Sequence, residues 1–315
     1  MRVVTTIRDV LLCRKRQRDS PLPTSILKRS ITVQLDLSSF NAVVVMVLRS
    51  LGRSAIAPWV ILPAAIPVGY LIYLYWQGHQ NTTAVRGHRR KSSPPASGSP
   101  PQPHDPISLP AEVKSDSQWV VVYERVVSKP VPIASLSYAI NGSPSSRKWR
   151  PTQPSPLLRE YVRATHKAFS WTPQAMLIRT MVGGKSIRTT FDGTWINSLT
   201  FAPGDLVNGI YRVAEHWKDK SSLSERSELM MEVPPSYKGP SVRGLLVAAI
   251  EPAPFTDSKR HGESVVFVNE TWMWRRTDEK PTLLETSFGR WFHTQLASWL
   301  ILRGLSAVTG GGCKQ

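Results

Sequence analysis

Residues 266–276, "VFVNETWMWRR", carry the strongest strand signal in this chain. They end a longer apolar and β-branched run over residues 264–276, which predicts a strand. Side chains alternate between the two faces of a strand. One face carries Val266, Val268, Glu270, Trp272 and Trp274, and the other carries Val265, Phe267, Asn269, Thr271 and Met273.

Glu270 therefore shares a face with two tryptophans, and two interpretations follow. If that face lines a cavity, desolvation raises the pKa of the carboxyl and makes Glu270 a candidate general acid or base. Trp272 and Trp274 are then candidate ligand contacts. Alternatively, Glu270 forms a salt bridge with an arginine on a neighbouring strand.

Capping signals place two helices before this strand. Ser155 with Pro156, and then Thr172 with Pro173, each combine an N-cap residue with proline at the first helical position. Glycines at 183 and 184 end the second helix. A β-branched run over residues 118–126 precedes both helices and predicts another strand.

Five strand candidates follow the helices, and the chain then closes on "SFGRWFHTQLASWLILRGLSAV", whose apolar residues repeat at helical spacing. The whole order predicts an α+β domain with an antiparallel sheet and a long C-terminal helix. The five candidate strands are residues 191–201, 207–216, 226–233, 243–251 and 264–276.

This order resembles the helix-grip fold of the START and polyketide-cyclase superfamily over residues 116–309. The resemblance implies a ligand cavity between the sheet and the C-terminal helix. A cone-shaped sheet of the NTF2-like kind is the alternative. Three stretches, "LTFAPGDLVNGIYRV", "VFVNETWMWRR" and "GRWFHTQLASWLILRG", also resemble uncharacterised fungal membrane proteins associated with secondary-metabolite pathways. That second resemblance implies a role around hydrophobic natural products.

Polar residues on the other predicted strands are candidate ligand contacts. Arg212 presents a planar fork to carboxylates, so it is a candidate clamp for an anionic group or the partner of Glu270. Asn197 shares a predicted face with Trp195, where it would orient a ligand carbonyl or satisfy backbone groups. His216, at the end of its strand, is expected to be a surface residue rather than a proton shuttle.

The N-terminal part predicts a membrane anchor. Residues 55–76 carry no charge across 22 positions, which is enough to span a bilayer as one helix. Residues 1–54 form a basic leader, and residues 77–115 read as a disordered, basic, Pro/Ser-rich linker before the globular domain, residues 116–309. Three prolines in the apolar segment leave a kinked or re-entrant hairpin as the alternative.

The distribution of Lys and Arg on the two sides of the apolar segment predicts its orientation in the membrane. Residues 1–104 hold 14 Lys and Arg against 3 acidic residues, whereas residues 105–315 hold 26 against 19. The positive-inside rule then places the leader in the cytosol and the C-terminal domain in the lumen of the endoplasmic reticulum. Asn81 and Asn141 are glycosylation candidates in that orientation. A transit peptide, or translation from Met46, would account for the leader differently.

The sequence lacks the motifs that are typical of several enzyme classes. There is no complete P-loop, no nucleophile elbow, no zincin motif and no dinucleotide fingerprint. Cys13 and Cys313 form neither a disulfide framework nor a metal-ligand spacing, so we expect no metal and no cofactor. The basic segments flank an apolar run, which favours membrane lipid over nucleic acid as the partner.

The sequence thus predicts a membrane-anchored, cofactor-independent tailoring enzyme of the cyclase or isomerase type, acting on a hydrophobic secondary metabolite. The alternative is a non-catalytic protein that binds or transfers a lipid or metabolite. Enzymes of the same pathway are further candidate partners. A scaffold that docks partners through its C-terminal aromatic helix is a third class.

Overall fold

An antiparallel sheet with helices against one face forms the part of the chain that the computed structural model describes, namely residues 75–89, 103–138, 153–219, 223–239, 242–253 and 264–309. Residues 75–81 are helical, and 3₁₀ turns occur at Ile133–Ser135 and Leu283–Glu285. In chain order the other elements are β1 (Thr82–His88), α1 (Ala111–Ser115), β2 (Trp119–Ser128), β3 (Val131–Pro132), α2 (Pro156–Phe169), α3 (Pro173–Met181), α4 (Lys185–Thr189), α5 (Gly193–Ser198), β4 (Leu206–Val207), β5 (Tyr211–Lys218), β6 (Glu225–Met231), β7 (Gly244–Pro252), β8 (Ser264–Arg276) and α6 (Ser287–Val308).

Strand β8 occupies the middle of the sheet. The strands lie in the order β1-β2-β8-β7-β6-β5-β4, all neighbours are antiparallel, and β3 pairs with β8 beyond the end of β2. Glu270 stands opposite Arg125 of β2 on one side and opposite Val247 of β7 on the other. The predicted α+β class and the predicted bounds of this strand are confirmed.

Helix α6 crosses the sheet and packs against α2, β2 and β8. Thr286 caps it by accepting a hydrogen bond from the backbone N–H of Gly289 at 3.2 Å. The predicted long C-terminal helix is therefore present. Ser155 and Thr172 likewise accept hydrogen bonds at the starts of α2 and α3, as their capping signals predict.

The two faces of the sheet bury different clusters. On the helix face, α2, α3 and α5 pack apolar side chains against β5 to β8. On the opposite face, Leu109 and Val113 cover a cluster that includes Trp272 and Trp274. Both faces are therefore covered, which explains why β8 is apolar at odd and even positions alike.

The predicted linker, residues 77–115, contains ordered structure. Strand β1 pairs with β2 along its whole length, and α1 covers the sheet face opposite the large helices. Glu228 of β6 accepts hydrogen bonds from the backbone N–H groups of Ile107 and Ser108, at 2.9 and 2.7 Å. The composition of these residues does not predict this order, because strand β1 depends on hydrogen bonds to β2 and the covering segment buries only Leu109 and Val113 in the apolar cluster. Residues 90–102 lie outside the described part.

The predicted strand over residues 191–201 is wrong, because this stretch contains helix α5. Its buried side chains are Phe191, Ile196, Leu199 and Phe201, which do not follow the alternation of a strand. Asp192 occupies the N-cap position of the helix. A short apolar run with an Asp-Gly pair is compatible with the two-residue spacing of a strand and with the 3.6-residue spacing of a helix. In the folded chain this segment is helical and packs against α2.

The predicted strand over residues 207–216 is two strands joined by a turn. Asn208 and Gly209 adopt positive φ angles of 49° and 74° between β4 and β5. An Asn-Gly pair is the usual signal for such a hairpin. The remaining predicted strands, 118–126, 226–233 and 243–251, correspond to β2, β6 and β7.

The predicted membrane span lies outside the described residues except for Tyr75 and Trp76. Within the described part, none of the helices has the length and apolarity needed to cross a bilayer.

Helices α2 and α6 approach closely at Gly304. A Cβ added there would come within 3.0 Å of the ring of Tyr161 and of the hydroxyl of Thr165, and Tyr161 is fully buried. We expect Gly304→Ala to lower the free energy of unfolding by about 1 to 2 kcal/mol, because overpacking outweighs the gain in helix propensity. Urea unfolding followed by tryptophan fluorescence measures the change.

Gly193→Ala is the matched control, since a Cβ at Gly193 would meet only the side chain of Lys167 at 3.8 Å. This variant should be as stable as the wild type or slightly more stable. Equal stabilities for the two variants would contradict the close approach of the two helices.

Candidate functional site

A cavity of about 360 Å³ lies between the sheet and helices α2, α3 and α6. Apolar side chains from all three helices and from the strands supply most of its wall. The polar side chains on this wall include His166, Asn269, Thr271 and His293. Such a space suits an apolar molecule with a small number of polar atoms.

Strand β8 contributes its odd-numbered positions to the cavity. Asn269, Thr271 and Met273 face the helices, and Ala248 of β7 stands opposite Asn269. The side chain of Glu270 points to the other face of the sheet, because side chains alternate along a strand. Glu270 borders the cavity because its strand forms part of the cavity wall, and its carboxylate points away from the cavity.

The carboxylate of Glu270 forms an ion pair with Arg125 on β2 and accepts a hydrogen bond from Nε1 of Trp272 at 2.9 Å. Arg125 also pairs with Glu251 at 2.6 Å. Burial raises the pKa of Glu270, and the positive charge of Arg125 opposes that increase. The contacts of Glu270 are thus those of the salt-bridge interpretation.

The other candidate contacts lie apart from the cavity. Trp272 and Trp274 are buried in the cluster on the opposite face, beside Leu109. Arg212 binds Glu232 at 2.6 Å and the carbonyl oxygen of Gly204 at 2.7 Å, at the protein surface. The structure therefore does not bring Glu270 and Arg212 together.

Helix α5 holds the remaining two candidates. Asn197 is exposed, and Trp195 is 40% exposed with its Nε1 donating to the carbonyl oxygen of Leu206 at 3.0 Å. Neither residue lines the cavity. Their expected proximity to a ligand depended on the strand alternation that the helix replaces.

A relay of three side chains begins at the cavity wall. Thr271 of β8 lies 3.2 Å from Nε2 of His293 on α6, measured from its hydroxyl oxygen. Nδ1 of the same imidazole lies 2.5 Å from a carboxylate oxygen of Glu124 on β2. We refer to Thr271, His293 and Glu124 as the relay.

Glu124 is almost completely buried, with 1% of its side chain exposed, and it has several donors. Its second carboxylate oxygen accepts hydrogen bonds from Arg86 at 2.7 Å and from the hydroxyl of Thr294 at 2.5 Å. Burial by itself would raise the pKa of Glu124, but the bonds from His293, Thr294 and Arg86 lower it below its ordinary value. The carboxylate is therefore ionised at neutral pH.

A second cavity histidine, His166, has a neutral partner. Its Nδ1 lies 2.7 Å from the side-chain oxygen of Asn208, whose amide nitrogen donates to Ser170 at 2.8 Å. Because that oxygen can only accept, Nδ1 of His166 carries the proton. Burial lowers the pKa of His166 to about 4, so the ring is neutral at physiological pH.

His216 is buried rather than exposed, so the expectation of a surface residue is wrong. Its Nε2 lies 2.9 Å from Glu225, which also accepts a hydrogen bond from the backbone N–H of Ser155 at 2.5 Å. The bonds from His216 and Ser155 outweigh burial and lower the pKa of Glu225. This pair holds the start of α2 against the hairpin of β5 and β6.

No sequence pattern predicts the relay. Glu124 carries the only signal, since it is a carboxylate within the β-branched run that predicts β2. His293 lies 169 residues away from it. Nothing along the chain indicates that the two residues meet.

The glycosylation candidates have different positions. Asn81 ends the helical residues 75–81, and its amide donates to the carbonyl oxygen of Gln77 at 2.9 Å while the residue remains partly exposed. Asn141 lies outside the described residues.

The chain matches no protein-family model, no curated protein and no solved structure. Within the described residues, no group of three or more His, Cys, Asp or Glu side chains is placed to hold a metal ion.

Glu124→Gln should lower the free energy of unfolding at pH 7 by about 1 to 3 kcal/mol, because an amide cannot replace the charged acceptor of His293 and Arg86. A carboxyl whose folded pKa is lowered stabilises the fold above its unfolded pKa, near about 4.3, and loses that contribution as pH falls. The difference between wild type and variant should therefore shrink below that pH. Urea unfolding measured between neutral and acidic pH tests this.

Glu270→Gln is the matched control, because burial raises the pKa of Glu270. Its carboxyl contributes stability at low pH and loses it as pH rises, so the difference between wild type and this variant should change with the opposite sign. The same pH dependence for both variants would contradict the assigned environments.

Proposed function

We propose that the protein binds a hydrophobic small molecule in the cavity between the sheet and helices α2, α3 and α6. The observation that carries this proposal is the cavity itself, about 360 Å³ in volume with a mainly apolar wall. Water gains little from contact with such a wall, whereas an apolar ligand buries its surface against it.

The rim of the cavity supports entry of an apolar ligand. Leu177 of α3 and Leu283, just before α6, both line the cavity while remaining 56% and 41% exposed. Exposed apolar side chains at an opening give a ligand a continuous apolar route from outside. The entrance that we assign therefore lies between α3 and the 3₁₀ turn before α6.

Membrane attachment belongs to the same proposal. The predicted span, residues 55–76, would hold the cavity near a bilayer, where membrane lipids and hydrophobic secondary metabolites are concentrated. A lumenal position in the endoplasmic reticulum and partner enzymes from the same pathway follow from the charge pattern and the fungal resemblance. The helix-grip arrangement, in which a sheet and a C-terminal helix enclose a ligand, fits the location of the cavity.

Two functions are compatible with a bound ligand. A non-catalytic carrier needs only the cavity. A cofactor-independent enzyme of the cyclase or isomerase type also needs an acid or base beside the ligand, and His293 on the cavity wall favours it. Glu270 remains a predicted acid or base, but its pairing with Arg125 supports a structural role more strongly.

Ala248→Phe should fill part of the cavity, because Ala248 lines it from β7. We expect native mass spectrometry of the full-length chain to detect a bound apolar molecule in the wild type. The variant should reduce its occupancy about tenfold, since the new ring takes the space of the ligand.

Ala84→Phe is the matched control, because Ala84 is exposed on the edge strand β1. It should retain the ligand at the level of the wild type. Equal occupancy in both variants, or no ligand in the wild type, would argue against the cavity as the binding site.

A further inference from the structure

We propose that His293 is the general base of a proton-transfer reaction on the bound ligand, and that Glu124 is its positioning residue. The substrate class is an apolar molecule with a C–H bond made acidic by an adjacent carbonyl group. This inference rests on the proposed function, because the reaction requires a ligand in the cavity.

The hydrogen bonds define which nitrogen of His293 is the base. The ionised carboxylate of Glu124 can only accept, so Nδ1 of His293 carries the proton. Nε2 then carries a lone pair, which accepts a hydrogen bond from the hydroxyl of Thr271. Both His293 and Thr271 line the cavity, so that lone pair lies beside the space for a ligand.

The surroundings suit a base that must work without water. The side chain of His293 is only 13% exposed, and Leu296 and Ala297 on the same helix line the cavity next to it. A buried carboxylate behind an imidazole holds the ring in one tautomer and stabilises the cation that forms when Nε2 takes a proton. Glu124 supplies that charge without contacting the ligand.

The two buried histidines of the described part, His166 and His216, lack this combination. His166 lines the cavity, but its partner is the neutral side chain of Asn208. His216 has a carboxylate partner, but it does not line the cavity. Of the three histidines, only His293 lines the cavity and also has a carboxylate partner, which contacts Nδ1 and leaves Nε2 for the ligand.

The reaction balances without an oxidant or a co-reactant. Nε2 takes the proton, the C–H electron pair forms a carbon–carbon double bond, and the carbonyl π electrons move to the oxygen to give an enolate. If the C–H carbon also carries a carbon–carbon double bond, the enolate extends into it. Return of the proton from Nε2 to the far carbon of that double bond then re-forms the carbonyl group and completes an isomerisation. Asn269, on the same face of β8 as Thr271, is the donor that we assign to the enolate oxygen.

Nitrobenzisoxazole is a suitable probe, because it is small and apolar and it reports on a general base directly. Removal of its carbon-bound proton breaks the N–O bond and releases a coloured cyanophenolate. We expect the full-length protein to accelerate this ring opening above the rate in buffer. The rate is measured as a function of pH for each protein. Glu124 is hydrogen-bonded to His293 and also forms an ion pair with Arg86.

His293→Gln should lower the protein-dependent rate about 100-fold. His104→Gln is the matched control, because His104 is exposed and lies outside the cavity wall, and it should keep the rate of the wild type. A rate for His293→Gln equal to that of the wild type would overturn the proposal.

Glu124→Gln should lower the rate about tenfold and shift its pH profile, whereas Glu124→Asp should restore part of both. A purely structural role for Glu124 would leave the profile of the remaining folded protein unchanged. Thr271→Val should lower the rate by less than His293→Gln does, because it removes a hydrogen-bond partner of the base and not the base itself. A loss as large as that of His293→Gln would instead assign the chemistry to the hydroxyl and overturn the role of His293.

Native mass spectrometry of the same proteins separates this inference from the proposed function. If the wild type and His293→Gln both retain the apolar ligand but open the probe equally slowly, the protein is a carrier and His293 is not a base. Absence of the ligand from the wild type would count against the proposed function itself.

Discussion

The buried carboxylate of Glu124 is the constraint on which the arrangement of helix and sheet depends. It lies on β2 and receives hydrogen bonds from Arg86 on β1 and from His293 and Thr294 on α6. An ionised group at this depth is costly unless several donors surround it. Helix α6 must therefore cross β2 at this residue, and its position defines one wall of the cavity.

Adjacent side chains of β2 point to opposite faces of the sheet, so the charged contacts of Glu124 and those of Arg125 lie on different faces. Glu124 faces α6, whereas its neighbour Arg125 faces the opposite side and pairs with Glu270 and Glu251. One face of the sheet thus holds a structural ion pair inside a packed aromatic cluster. The other face places a carboxylate and an imidazole beside an open space. The same strand serves both because adjacent side chains point in opposite directions.

Local signals predicted much of the fold. The bounds of β8, the caps of α2 and α3, and the long C-terminal helix follow from composition, alternation and capping residues. Two predictions were wrong because the hydrophobic spacing or the composition of the segment was compatible with more than one structure. Residues 191–201 contain a helix because packing against α2 decided between two compatible periods, and β1 is ordered by its pairing with β2 rather than by its own apolar content.

The class of the domain, the strand with Glu270 among tryptophans and the candidate anchor before the domain are all predicted from the amino-acid sequence. These features can be predicted because they depend on hydrophobic spacing and on composition within short segments of the chain. The pairing of Glu270 with Arg125 and the contact between Glu124 and His293 beside the cavity are visible only in the folded chain. The reason is that a buried charge selects its partners by distance in space, and the residues of the relay are brought together by the crossing of α6 over the sheet.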